Sequence, residues 1–489
     1  MLRQIPPLIA DNISSTIVEN LSLFIPELII IFAIVFSIIM DLIPKTKCCV
    51  KYFATISLFF ALLYELITFG QSNGFIFYEM LKIDTFADLF KIAIIFSTAI
   101  IILISKYNSE IDKEYKSEYY VLLLSMCLGM VLLVSSTNLI MIYLSMELIG
   151  IPSYILAGMN KKDKLSNEAS LKYIIYGSFA SGVMLFGLSW FYGLTGQAFL
   201  SDISLIPSSP AIFISLIFIL VGMAYKVSMA PFHYWTPDVY EGSPTPVTAF
   251  FSVAPKLAGL GLLIRFTDTV FINHSIASDF NWPLIISILS GITMTVGNIL
   301  AIQQSNIKRM LAYSSISHIG FIMMSLSVYT LNNDLSAILL YSFVYMFMNL
   351  GAFSMVIYAE NSLGYKVFDD WDGFGLKMPF WGAMMSINMI ALTGLPPTSG
   401  FIAKFYIFSD LIGSKEFFWL AIIGGINAVI SLYYYFRLLK HMYLLKGSDK
   451  KIKPPSLLIG FFIVFLSIQT FLFYFYWNSI SGLFKGVIL

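Results

Sequence analysis

Charge is what this 489-residue sequence has least of: lysine, arginine, aspartate and glutamate together make up 12% of it, against about a quarter of an ordinary soluble domain. So few charges cannot clothe a chain that is 58% hydrophobic and strongly positive in mean hydropathy. A soluble globular protein is excluded, and an integral membrane protein is left. Cysteine is nearly absent too. Cys48, Cys49 and Cys127 are the three present, which fits neither a disulfide framework nor a metal-ligand pattern. The net charge of +1 comes without a basic patch, so nothing suggests nucleic acid. The first twenty residues, MLRQIPPLIADNISSTIVEN, lack the basic start, apolar centre and small-residue cleavage site of a signal peptide. The first spanning helix is therefore expected to direct insertion. Long polar stretches are also missing. No connection exceeds about 20 residues, which leaves no room for a nucleotide domain, a haem cradle or an iron–sulfur loop.

What the chain has in abundance is apolar runs. A helix needs about 20 apolar residues to cross a hydrocarbon core about 30 Å thick. Runs of that kind fall near 21–43, 51–69, 83–104, 119–135, 137–158, 168–193 and 211–233. Seven more lie near 246–266, 283–304, 308–330, 335–360, 380–410, 417–440 and 455–477. The expected fold is all-α, with about 14 transmembrane helices. Eighteen of the 29 lysines and arginines lie on or beside one set of alternate connections, while the other set holds only Lys82 and Lys415. By the positive-inside rule the basic connections face the cytoplasm or matrix, and both termini face outward.

Seven basic residues fall inside spans: Lys91, Lys172, Lys226, Lys256, Arg265, Lys404 and Arg437. Arg265 and Arg437 lie close enough to span ends to snorkel to the interface. Lys91 is one turn from Asp88, which reads as a local structural ion pair. Glu147 is different: it sits about 15 Å deep at about 1.5 Å per residue, with IMIYLSM before it and LIGIPSYIL after. Lys226 and Lys256 are similarly deep. Each such charge costs roughly 2.5–3.5 kcal/mol at a helix centre. Two readings follow. Glu147 with Lys226 is either a buried ion-pair staple, or part of a proton relay whose members gain and lose protons as their neighbours move.

The lysines also stand beside interruptions. Pro231 follows Lys226 by five residues, and GLPPTSGFIAKF sets Gly394, Pro396, Pro397 and Gly400 before Lys404. Unwound backbone at membrane depth survives only when buried in protein or lining a wet cavity. The breaks are either inert proline kinks or markers of a transport site, where paired interruptions in two halves are expected. Span 7 and span 12 run in opposite directions five spans apart, which predicts two inverted five-helix repeats, spans 4–8 and 9–13. The expected units are an N-terminal three-helix segment, 1–118, two repeats, 119–266 and 283–443, and a C-terminal helix, 444–489. His318, in AYSSISHIGFIMM, is either a satisfied structural histidine or a relay member.

The runs YLSMELIGIPSYILAG, SNEASLKYIIYGSFASG, YKVSMAPFHYWTPDVYEGSPTPVTAFFSVAPK, NIKRMLAYSSISHIG and GLPPTSGFIAKFYIF resemble the antiporter-like membrane subunits of respiratory complex I. PDVYEGSPTPVTAF and the lysine at position 404 resemble the subunit N (subunit 2) branch of that family. The likeness covers roughly residues 20–445. It implies a proton-translocating subunit of NADH:quinone oxidoreductase. That enzyme's NADH, FMN, iron–sulfur clusters and quinone would bind partner subunits, none of them this chain. It also implies homologous antiporter-like subunits as neighbours in the bilayer. Carried over by motif, Glu147 matches the family's ion-pair glutamate and Lys226 its broken-helix lysine. Lys256 matches its central lysine, Lys404 its exit-side lysine and Lys172, in EASLKY, a further lysine, with His318 as an added relay member.

Rival readings are a stand-alone cation/proton antiporter subunit or a membrane-bound hydrogenase subunit of the same fold. A purely structural scaffold and a solute symporter are the others. The three N-terminal helices suit full-length bacterial or organellar forms of the family; a bacterial cytoplasmic (inner) membrane is expected, with a mitochondrial inner or thylakoid membrane as the alternative.

Overall fold

The structure is a computed structural model that describes residues 20–71, 73–200, 209–272, 280–332, 334–447, 452–485 and 487. The first nineteen residues, and with them the expected position of the N-terminus, lie outside the described residues. Apolar helices follow one another: α1 (Ile25–Leu42), α2 (Val50–Thr68), α3 (Thr85–Ile104), α4 (Lys116–Ser135), α5 (Leu139–Ala157) and α6 (Lys164–Thr195). Then come α7a (Pro210–Val227), α7b (Trp235–Gly242), α8 (Thr245–Thr267), α9 (Trp282–Ile302), α10 (Ile307–Asn332) and α11 (Ser336–Leu363). The series closes with α12a (Pro379–Thr393), α12b (Ser399–Ser414), α13 (Phe418–Leu444), α14 (Leu457–Leu472) and α15 (Trp477–Lys485). Among the described residues twelve helices are long and apolar enough to cross a membrane. They are the expected spans 1–11 and 13. Span 12 is divided into helices of 15 and 16 residues, and span 14 is a helix of 16. The chain is a multi-pass membrane protein.

Local chemistry sets the helix ends. Asp84 accepts a hydrogen bond from the Ala87 N–H at 2.8 Å, Asn138 from Ile140 at 2.9 Å and Asp163 from Leu165 at 3.0 Å, each satisfying an orphan donor of the first turn. Pro210 opens α7a where its missing N–H costs nothing. A small antiparallel hairpin, β1 (Gly74–Ile76) with β2 (Leu81–Ile83), joins α2 to α3. No alternating pattern announces it in the sequence. It closes over the ends of α4 and α5, where Met80 O accepts from Thr137 N at 3.1 Å.

The helices divide into an inner and an outer set. In α8, α10 and α11 nearly every described residue is buried, whereas α1, α2, α6 and α13 present Phe32, Phe59, Phe179 and Val429 outward. The protein is thus inverted relative to a soluble one, with its polar groups concentrated on central helices.

Two expectations about charged residues are corrected. Arg265 does not snorkel: it is 1% exposed, and its guanidinium grips Asp84 with two bonds of 2.9 Å while Nε donates to Val134 O at 2.9 Å. The cap of α3 is close enough to hold it, so a fork-to-fork pair replaces the route to water. Lys91 pairs not with Asp88 but with Glu27 of α1 at 2.7 Å and Glu65 of α2 at 3.5 Å. Asp88 instead accepts from the Gly70 N–H at 3.2 Å. Arg437 behaves nearly as expected, reaching Gln304 O at 3.1 Å near the end of α9 and lying over the Phe368 ring.

Removing one partner of a buried pair strands the other, which costs about 3–5 kcal/mol. Asp84→Ala should therefore lower the thermal stability of the assembled protein strongly, and Asp84→Ala with Arg265→Leu should recover much of the loss. Heat denaturation of the detergent-extracted protein measures both.

Candidate functional site: a row of buried lysines between two helix breaks

Each break forms where the first half-helix meets a residue in the left-handed region. Helix α7a ends at Ser228 (φ 63°), whose N–H returns to Ala224 and Tyr225, and α12a ends at Gly394 (φ 83°). Prolines then prevent the helix from resuming at once. After Ser228 a turn leads through Pro231 to α7b, and after Gly394 the segment Leu395–Thr398 leads to α12b. Lys226 lies two residues before the first break, and Lys404 lies one turn beyond the second.

Lys226 is buried. Its aliphatic stem lies against Gly259 of α8, where an added Cβ would stand 3.4 Å from Lys226 Cγ. Gly259 is one turn from Lys256, so the two lysines address the same face of α8. The Lys256 ammonium, fully buried, donates to Ser315 Oγ of α10 at 2.7 Å and lies 5.6 Å from the centre of the Tyr240 ring. One turn beyond Ser315, His318 is held at both ring nitrogens, Nδ1 by Tyr341 at 2.8 Å and Nε2 by Tyr435 at 3.1 Å. Lys256 meets α10 at Ser315 and Lys404 meets it at Phe321, so His318, one turn from each, stands between the two contacts. Lys404 donates to Thr393 O at 2.8 Å, a carbonyl in the last turn of α12a, and lies 4.5 Å from the centre of the Phe321 ring. The order is Lys226, Lys256, Ser315, His318, Lys404. Lys256 and Lys404 have neutral partners, with no carboxylate within 4 Å among the described residues.

Glu147 and Lys226 do not form the expected direct ion pair. The half-buried Glu147 carboxylate accepts from Ser181 of α6. Helix α6 packs on both α5 and α7a, with Gly177 against Tyr154 and Gly187 against the α7a backbone. A hydroxyl from α6 thus meets the carboxylate first, and no ion pair within 4 Å links Glu147 to Lys226.

Lys172 also departs from the row. It pairs with Asp238 of α7b at 2.6 Å and Glu168 at 2.7 Å. Asp238 is shared with Arg309 of α10 at 2.7 Å, and Arg309 reaches Glu241 at 2.8 Å. This network fastens α6, α7b and the start of α10 beside the first break. Burial pushes the Asp238 carboxyl up, but the hydrogen bonds from Lys172 and Arg309 outweigh it and hold the group below the usual carboxylate range. Sequence reasoning did not single out Asp238, Arg309, Ser315, Tyr341 or Tyr435. Asp238 stands on the short helix after the first break and Arg309 in the first turn of α10, and the others look like ordinary helix residues until the helices are packed.

Residues 136–431 match the family model described as NADH:quinone oxidoreductase/Mrp antiporter, TM. The chain belongs to this family of antiporter-like membrane subunits. Its curated relatives place it in the subunit N branch: NADH-quinone oxidoreductase subunit N 2 of Sorangium cellulosum is 39% identical over 97% of both chains. Among solved structures, a chain of respiratory complex I from Thermus thermophilus superposes with a TM-score of 0.79 at 25% identity, covering 93% of this chain and 98% of that one. A chain of the Mrp complex from a Dietzia species shares the fold, with a TM-score of 0.83 at 16% identity over 94% and 96% of the two chains.

A carboxylate whose pKa is depressed by folding contributes stability at pH values above its unfolded pKa, and that stability disappears as pH falls through the folded value. The Asp238 network should therefore hold at neutral pH and fail below about pH 4. Asp238→Asn should lower stability at pH 7 by about 1 kcal/mol, as for a partly exposed pair, and should flatten the acid side of the stability profile. A heat-denaturation series across pH tests this.

Proposed function

We propose that the chain is a proton-translocating membrane-arm subunit of an NADH:quinone oxidoreductase, in which electron transfer in partner subunits drives protons along the buried lysines. The observation that carries this reading is the bridge Lys256–Ser315 with His318 one turn on, spanning the gap between the lysines of the two helix breaks. The match to subunit N relatives over nearly the full chain supports it. Among the described residues no group of three His, Cys, Asp or Glu could hold a metal. The reading places NADH, FMN, iron–sulfur clusters and quinone in partner subunits, alongside homologous antiporter-like subunits in a bacterial cytoplasmic membrane with both termini outside. Residues 119–266 and 283–443 are then inverted repeats, each with a broken helix, between the three-helix segment 1–118 and the C-terminal helix 444–489.

The steps follow from the contacts. Glu147 favours the charged form of Lys226 through space, so displacing the carboxylate lets Lys226 give up its proton toward α8. Lys256, once it has passed its own proton onward along α10, receives this one at the hydroxyl-lined station formed with Ser315. His318, hydrogen-bonded through both nitrogens, can accept a proton at one while releasing one at the other, joining Tyr341 to Tyr435. Lys404, resting on the Thr393 carbonyl beside the second break, is the last station. Ser315 and His318 make no direct hydrogen bond, and neither do His318 and Lys404, so those hops need water or side-chain rotation. Lys172 serves here as a positioning residue that holds α7b through Asp238. Moving one charge across 100 mV requires about 2.3 kcal/mol, which is within reach of rearranging one buried ion pair.

Lys226→Ala in the assembled complex should lower quinone reduction and proton pumping together, by about tenfold or more if the hop becomes the slow step. Normal pumping in a fully assembled variant would refute the relay. Gly394→Ala should act at the other break, because its Cβ would stand 2.7 Å from Lys404 Cδ at a residue with φ 83°. Turnover should fall there, whereas Gly425→Ala in α13, with no atom within 4 Å of its added Cβ, should leave turnover unchanged.

A further inference from the structure

The first three helices carry a second group of buried charges that the lysine row does not use. Glu27 of α1 is 1% exposed, Glu65 of α2 3%, and Asp88 and Lys91 of α3 2% and 1%. Three carboxylates surround one ammonium, so the group has two negative charges too many for a site shielded from water. Burial of that imbalance is strongly unfavourable unless protons or another cation offset it. Glu27 Oε2 and Glu65 Oε1 accept no hydrogen bond. Glu65 Oε1 has Lys91 Nζ at 3.5 Å, while the stronger contact of that ammonium, 2.7 Å, goes to Glu27 Oε1.

The group opens onto a cavity of about 200 Å³ lined by Glu65, Asp88, Lys91, Tyr64, Thr68 and Gln71 among others. A polar space of that size holds several waters. It lies by the hairpin connection between α2 and α3, at the end of the bundle poor in basic residues. It is walled off from the lysine row: Phe90, next to Lys91, packs on Gly261 of α8, and Asp84 is occupied by Arg265 and Lys82. Helix α4 packs on both α1 and α3 and carries the buried Cys127 thiol.

We propose that Glu27, Glu65, Asp88 and Lys91 form a proton-holding site of their own, exchanging protons with one side of the membrane through this cavity. A proton suits the geometry better than a metal ion. The Lys91 ammonium already sits where a metal ion would bridge the carboxylates. A proton needs only one oxygen, and the unbonded oxygens of Glu27 and Glu65 supply two.

The test uses the assembled complex in its native membrane. Dicyclohexylcarbodiimide modifies buried carboxyls in their protonated form, and peptide mass spectrometry locates the product. Labelling is expected at Glu65, which both lines the cavity and carries an oxygen without a hydrogen bond, falling at least tenfold between about pH 6 and pH 9, with no effect of added sodium ion. Glu65→Gln should remove or shift the product without changing labelling elsewhere. If none of the three acids reacts at any pH, or if sodium ion protects them at constant pH, the proton-site assignment is wrong. The readout does not depend on pumping, so its failure and a failure of the lysine relay are separable. Should Glu65→Gln not assemble, the unmodified complex still decides the matter.

Discussion

The cost of keeping charge out of water governs this structure. A chain with apolar runs on every side can hold an ion only by surrounding it with other helices, and the arrangement follows from that need. Helices α8, α10 and α11 lie at the centre, with Lys256 and Arg265 on the first and His318 on the second, and the helices around them show apolar faces outward. The buried charges then fall into two kinds. Arg265 is matched by a carboxylate in good bidentate geometry, and such a pair resists change. Lys256 and Lys404 are matched only by a hydroxyl and a carbonyl. Neutral partners stabilise an ammonium far less than a carboxylate does. The lysines with neutral partners are the ones aligned in a row between the two breaks.

The helix breaks belong to the same logic. A continuous helix consumes its own carbonyls, so it has nothing to offer a buried ammonium. Ending α12a at Gly394 leaves last-turn carbonyls without intrahelical donors, and Thr393 O is taken up by Lys404. The tight fit of Gly394 beneath Lys404 explains why the break needs glycine in the left-handed region as well as the two prolines. At the other break, the segment after Ser228 turns the chain so that α7b can carry Asp238 back to Lys172 and Arg309. One interruption provides a seat for a lysine, and the other is held in place by a salt-bridge network.

Much of the site was visible in the residues before any packing was known. Lys226, Lys256 and Lys404 stood out because a charge in an apolar run has no local excuse, and the prolines and glycines beside two of them marked the breaks. Partner choice was less visible. Lys91 and Asp88, one turn apart, looked like a pair, yet Glu27 and Glu65 from two other helices reach the ammonium instead. Arg265 looked able to reach the interface, yet Asp84, 181 residues away in sequence, holds it. Glu147 and Lys226 looked like direct partners until α6 placed Ser181 at the carboxylate.

The sequence by itself determined the solvent of this protein, the positions of its apolar helices, its two breaks and the identity of its stranded charges. Each of these follows from composition and from the φ/ψ limits of proline and glycine, which act over a few residues. Only the tertiary structure decided which carboxylate meets which cation, which lysines are left with neutral partners, and that a second group of acids gathers in the first three helices. Those outcomes depend on helix rotation and on contacts between residues far apart in the chain. In a membrane, where every helix face is apolar enough to lie against several neighbours, the pattern along one helix does not specify which neighbour it will find.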